Sequence, residues 1–189
     1  MFIAPSDADL RNRLTHTLEV YQLSTSIGRR FNLNIPAVEA IALGHDVGHV
    51  AFGHAGEAAL DAELAHLGGF HHAAHSVRSL EYCAYDGQLL EKCATSGLNL
   101  TRAVREGILK HGWFHGREYT YYHLGEPGNE LRTLEHTSGS LEAQVVTLAD
   151  SIAYLNHDLS DLLRFGIEKI LSRQVVGEFF ERHLNGPKK

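Results

Sequence analysis

The sequence is short of everything that marks a secreted, membrane-embedded or nucleic-acid-coating protein. Among its 189 residues only two are cysteine. Cys83 and Cys93 form no CxxC pair and are too few for a disulfide scaffold, which fits reduced thiols in a cytoplasmic protein. No apolar run approaches the roughly 20 residues that span a bilayer, so no membrane partner is expected. The opening MFIAPSDADL lacks the basic start and apolar run of a signal peptide. Positive charge is also scarce: 17 Lys and Arg stand against 23 Asp and Glu, a net charge of −6 with His neutral. Counterion release from a nucleic acid needs a basic stripe, and there is none. A small anionic substrate stays admissible, because a bound cation supplies local positive charge. Strand patterning is nearly absent too. The remainder, 43% hydrophobic and 21% charged, is the composition of one globular domain over 1–189.

Histidine is what the chain has in excess. There are 14, spread from His16 to His183 and crowded in the middle, most densely in GHDVGHVAFGHAGE (44–57). Scattered surface histidines do not explain that crowding.

The apolar spacing predicts helices nearly throughout, an all-α class. From Asp7 to Phe31, one stripe runs through Leu10, Leu14, Leu18 and Tyr21, and a second through His16, Val20, Leu23 and Ile27. Two apolar sides imply a largely buried helix, with His16 facing protein. Arg13 shares its face. A second helix begins at NIPAVEAIALG, with Asn34 at the cap and Pro36 in the first turn. Gly44, Gly48 and Gly53 are expected to permit close turns after it. Further helices are expected over 55–66, from His71 to about Tyr85, and over 101–110 with Thr101 as cap. Residues 112–139 read as one long loop carrying a short strand pair near Tyr119–Tyr122, placed to cover a site. Helical periodicity resumes at SLEAQVVTLADSIAYLNHDLSDLLRFG, capped by Ser140. A last helix is expected from about Ile167 to His183.

A buried histidine needs a partner. His45-Asp46, at a glycine-broken helix end, offers a nitrogen and a carboxylate. Asp150 lies in an apolar helical run, where an unpaired carboxylate is costly. Together His16, His45, Asp46 and Asp150 suit a divalent metal in mixed nitrogen and oxygen coordination. Hard oxygen ligands fit Mn²⁺ or Mg²⁺, and the imidazoles also admit Fe²⁺, Ni²⁺ or Zn²⁺.

The order H…HD…D resembles the HD-domain metal-dependent phosphohydrolases. RNRLTHTLEV, GHDVGHVAFGHAGE, GGFHHAAHSVR and SLEAQVVTLADSIAYLNHDLSD are similar, more narrowly, to the bacterial dGTPase, or deoxynucleoside triphosphate triphosphohydrolase, group. The likeness extends from about Leu10 to Gly166. It implies an HD-domain helical bundle that hydrolyses a deoxynucleoside triphosphate to deoxynucleoside and triphosphate. It implies His16, His45, Asp46 and Asp150 as metal ligands, His72 as the catalytic histidine and Glu57 as its acidic partner. It places Arg13, His49 and His54 at the phosphates, Tyr154 near sugar and phosphate, and Asp158 at the 3′-hydroxyl. The spacing of Asp150, Tyr154 and Asp158 puts all three on one helix face.

Two departures stand out. Val50 and Ala51 occupy positions where the group commonly has prolines, and segments upstream of Leu10 and a long C-terminal extension are missing, which leaves two readings, a compact relative or a fragment of a longer enzyme, with the oligomeric state open and a homo-oligomer admissible. Lys110 and Arg117 are further candidates for anion binding, although a surface role is the simpler reading. His71 and His75 are expected at the surface, while His111 and His115 are left open between site and loop. Two rival readings remain: an HD phosphohydrolase of monophosphates, and a nucleotide- or metal-binding module without turnover.

Overall fold

A computed structural model describes residues 12–82, 97–112, 120–122, 130–132 and 139–164. Six α-helices appear among the described residues: α1 (Arg13–Arg30), α2 (Ile35–Gly44), α3 (Gly53–Glu63), α4 (His72–Tyr82), α5 (Arg102–Leu109) and α6 (Leu141–Arg164). A 3-10 turn, Ala65–Leu67, follows α3. The all-α class holds. Within the expected loop, β1 (Thr120–Tyr122) pairs antiparallel with β2 (Glu130–Arg132), Tyr121 opposite Leu131. The chain divides into two compact units, Met1–Ser151 and Ile152–Lys189. The helix expected from Ile167 lies outside the described residues, as do Cys83, Cys93, His115 and Arg117.

α1 starts at Arg13, later than the sequence pattern suggested. Asn12 caps it: its side chain accepts from the Thr15 amide, and the Asn12 amide donates to Thr15 Oγ1, both at 3.0 Å. Satisfying these end donors fixes the first turn and so the position of Arg13 and His16. The second of the two expected stripes is the inward one, with His16 and Val20 buried but Leu23 and Ile27 only half-buried. His16, Val20, Ser24 and Gly28 face inward, whereas Leu14 and Leu18 are exposed.

In the first unit α1 packs on α2, and α2 and α4 both pack on α5. Val20, Val38, Ile41, Val77, Ile108, Leu109 and Val146 are essentially inaccessible and form the core. α2 is capped by Asn34, which accepts from the Ala37 amide, with Pro36 in its first turn. Thr101 accepts from the Val104 amide and caps α5, and Ser140 does the same for Ala143 at the start of α6.

The glycines of the histidine-rich segment mostly serve close packing. A Cβ on Gly44 would stand 2.8 Å from Ile108 Cδ1, and one on Gly48 would stand 2.2 Å from the Ser76 backbone nitrogen. Neither residue has a positive φ. The left-handed turn instead falls on Phe52 (φ 64°) and Gly53 (φ 61°), so an aromatic residue occupies a conformation that favours glycine. The segment is also fastened to α4. Gly48 N donates to Ser76 Oγ at 2.9 Å, Ser76 Oγ donates to the His45 carbonyl at 2.8 Å, and His75 Nδ1 donates to the Gly48 carbonyl at 2.8 Å.

Candidate metal centre

α1, the end of α2 and α6 bring three of the expected ligands together. His16 Nε2 lies 2.8 Å from Asp150 Oδ1. His45, at the end of α2, is fully buried, and its Nδ1 donates to the Ala42 carbonyl at 2.7 Å. That bond fixes the tautomer and leaves Nε2 as a lone pair. It has no hydrogen-bond partner and faces Asp150 Oδ1 at 3.8 Å and Asp46 Oδ2 at 3.9 Å. A buried imidazole nitrogen with nothing to bond, set between two carboxylates, suits a cation. His16, His45 and Asp150 form one group of donors that could hold a divalent metal, and His45 and Asp46 form a second with His111.

Electrostatics keep both carboxylates charged. Burial by itself raises the Asp46 pKa, but His45, His111, His49 and His72 outweigh it and hold the group at about 2. Asp150 is likewise lowered: burial opposes, and the His16 hydrogen bond with the His45 and His111 charges prevails. Arg13 Nη1 also donates to Asp46 Oδ2 at 2.9 Å. The arginine expected at the phosphates is thus engaged with a candidate ligand.

His72 opens α4 and faces α3. Its Nδ1 lies 2.8 and 3.0 Å from the two Glu57 oxygens, and its amide donates to Glu57 Oε1 at 2.8 Å. Burial raises the Glu57 pKa, but these bonds to His72 dominate and bring it down to about 2. The carboxylate therefore fixes which imidazole nitrogen carries the hydrogen. His49 stacks on His72 with ring centres 4.6 Å apart, and His54 lies 5.6 Å from His49. Burial first, then the His72 and Arg13 charges, lowers His49 to about 4 against the pull of Asp46. A cavity of about 360 Å³ opens beside the pair, lined in part by His54, Glu57, Phe70, His71 and His72.

The structure therefore gathers His16, His45, Asp46, Asp150, Arg13, His49, His54, Glu57 and His72. Tyr154 and Asp158 belong to the second unit, where both are exposed. His71 is not a plain surface residue: it is half-buried and stacks on His72 at 4.9 Å. Lys110 is buried and pairs with Glu106 at 3.0 Å. His111, left open by the sequence, is buried within the cluster, its Nε2 3.4 Å from His72 Nε2 and 3.9 Å from Asp46 Oδ1. Its signal was position, three residues after the buried Ile108 and two after Leu109 of an amphipathic helix.

Comparison with known proteins follows the same residues. The HD-domain profile matches residues 13–155. The chain belongs to the HD-domain family. Proteins named deoxyguanosinetriphosphate triphosphohydrolase-like are similar to it. The one from Thiobacillus denitrificans is 46% identical over 92% of this chain and 43% of its own length. That from an Azoarcus species is 48% identical over 90% and 42%, and that from Caldanaerobacter subterraneus 42% identical over 97% and 45%. The chain thus spans less than half the length of these relatives. No helix among the described residues is long and apolar enough to cross a membrane.

Proposed function

We propose that this HD-domain chain is a metal-dependent phosphohydrolase that converts a deoxynucleoside triphosphate to deoxynucleoside and triphosphate. The observation that carries the reading is the buried, unpartnered Nε2 of His45 between Asp46 and Asp150. The names of its relatives support the substrate class.

His16, His45, Asp46 and Asp150 would hold the ion, with Mn²⁺ or Mg²⁺ proposed for the hard oxygen ligands. When bound, the ion supplies Lewis-acid polarisation of the α-phosphate. The reaction adds a water oxygen to the α-phosphorus and breaks its bond to the 5′-oxygen, which takes up a proton. His72 is assigned the proton transfer. Glu57 holds its Nδ1, leaving Nε2 turned toward the Asp46 side of the cluster. Arg13, His49 and His54 are assigned to the polyphosphate, Arg13 exchanging its bond to Asp46 for one to the anion. Tyr154 and Asp158 are assigned to the sugar.

Product analysis tests this. Metal-stripped protein is incubated with each deoxynucleoside triphosphate, with and without Mn²⁺, beside Asp46→Ala. Metal-dependent release of triphosphate and deoxynucleoside, lost in the variant, is expected. Orthophosphate from a monophosphate, with no triphosphate from any substrate, would move the chain to a different phosphohydrolase reaction.

A further inference from the structure

α6 carries two apolar stripes. Ala143, Val146, Ala149 and Ala153 are buried. On the other side of the same continuous helix, Leu141, Val145, Leu148, Ile152, Leu155 and Leu159 follow one another at alternating steps of four and three residues. That spacing keeps all six on one line along the helix. Val145 is half-buried, while the other five are exposed, from 43% at Ile152 to 67% at Leu155.

Single exposed leucines are ordinary, but a stripe of five is not. A helix with one face in the core normally turns polar residues outward. On α1, the exposed pair Leu14 and Leu18 runs into half-buried Tyr21, whose hydroxyl donates to Glu39 Oε1 at 3.0 Å. The α6 stripe has no such polar interruption over its length.

The repeat itself indicates the occupant. Alternating four- and three-residue steps let a helix pack side by side with another of the same spacing. A face that meets its own copy about a two-fold axis is complementary to itself. Val145 and Ile152 at one set of seam positions, with Leu141, Leu148 and Leu155 at the other, is the combination that favours two strands over three or four. Charge does not oppose the pairing. Of the bordering positions 142, 144, 149, 151, 156 and 158, only Glu142 and Asp158 are charged, and they stand near opposite ends. Covering the five exposed side chains with those of a second copy would withdraw roughly 1,000 Å² from water, about the size at which a specific interface holds.

We infer that the stripe from Leu141 to Leu159 on α6 is an interface on which two copies of this chain associate, helix against helix. The inference needs neither a bound ion nor a substrate, so it stands apart from the proposed reaction.

Sedimentation equilibrium of the full chain over a range of micromolar concentrations tests it, beside the double variant Leu148→Glu/Leu155→Glu. The unaltered chain is expected to show twice the mass of one chain. The variant is expected to show the mass of one chain, with an unchanged helical circular dichroism signal, because both positions are more than half exposed. A mass of one chain, or of more than two, for the unaltered protein overturns the inference. A variant that keeps the mass of two chains overturns it as well. Should the glutamates cost the variant its helical signal, Leu148→Gln/Leu155→Gln takes its place. Glutamine keeps helix propensity while removing the apolar surface, and the same masses decide.

Discussion

The imidazole of His72 meets both oxygens of Glu57 through the same nitrogen, at 2.8 and 3.0 Å. The carboxylate orients a ring whose other nitrogen, Nε2, is turned toward His111 and Asp46. Glu57→Gln keeps the shape but offers one acceptor oxygen in place of a charged pair. We expect it to fold normally and to lower kcat about 100-fold, with KM nearly unchanged. Steady-state kinetics would show this. A KM effect at constant kcat would assign Glu57 to substrate binding instead.

Acid should weaken the metal-free fold over a broad window. Burial first, with neighbouring charges, holds His49, His71 and His111 at about 4, while an unfolded histidine titrates near 6.5. Between those values the unfolded chain takes up protons that the folded one refuses. This contribution to stability is complete above about 6.5 and is lost as pH falls toward about 4. Asp46 and Glu57, both held at about 2, extend the loss: their contribution is full above the ordinary carboxylate range near 4 and fades toward 2. The urea midpoint should therefore fall steadily from pH 7 to pH 4. A midpoint that climbs on acidification would contradict this account of the cluster.

Gly48 tolerates no side chain. An added Cβ would stand 2.2 Å from the Ser76 nitrogen and 2.4 Å from the His75 carbonyl carbon, both backbone atoms. Gly48→Ala must push the segment away from α4 and break the bonds through Ser76. A loss of about 2–4 kcal/mol is expected, well above the effect of an ordinary surface substitution. Urea denaturation measures it, and weakened Mn²⁺ binding should accompany it.

Metal should stabilise the folded chain through His45. A ligand that binds only the folded state adds about 2.7 kcal/mol at a concentration one hundred times its Kd. Differential scanning fluorimetry should show the melting temperature rising with Mn²⁺ in the unaltered chain and not in His45→Ala. Equal shifts in both would place the ion elsewhere.

What the sequence revealed, and what it hid, divides along physical lines. The convergence of His16, His45 and Asp150 was legible because buried polar residues in apolar helices need partners, and caps such as Asn34 and Thr101 announce themselves locally. The pairing of Glu57 with His72 was expected from family likeness, since spacing alone does not say that α3 and α4 face each other. The start of α1 was misplaced because its apolar pattern continues through Leu10, whereas the Asn12–Thr15 capping box decides the first described turn. Leu14 and Leu18 repeat like core residues yet are exposed, a distinction that depends on which helix packs where. The packing role of Gly48 was invisible for the same reason: its constraint comes from Ser76, 28 positions away.

The hydrogen bond between His16 and Asp150 joins positions 134 apart in the chain. During synthesis, α1 and α2 emerge early and can pair at once, because a short connection links them. The cluster cannot close until Asp150 has left the ribosome, and bringing distant segments together is slow compared with local helix formation. His45 therefore waits, bare, until Asp150 has emerged. An ion arriving in that interval would meet only part of the proposed ligand set, so tight loading would be postponed until α6 has been made.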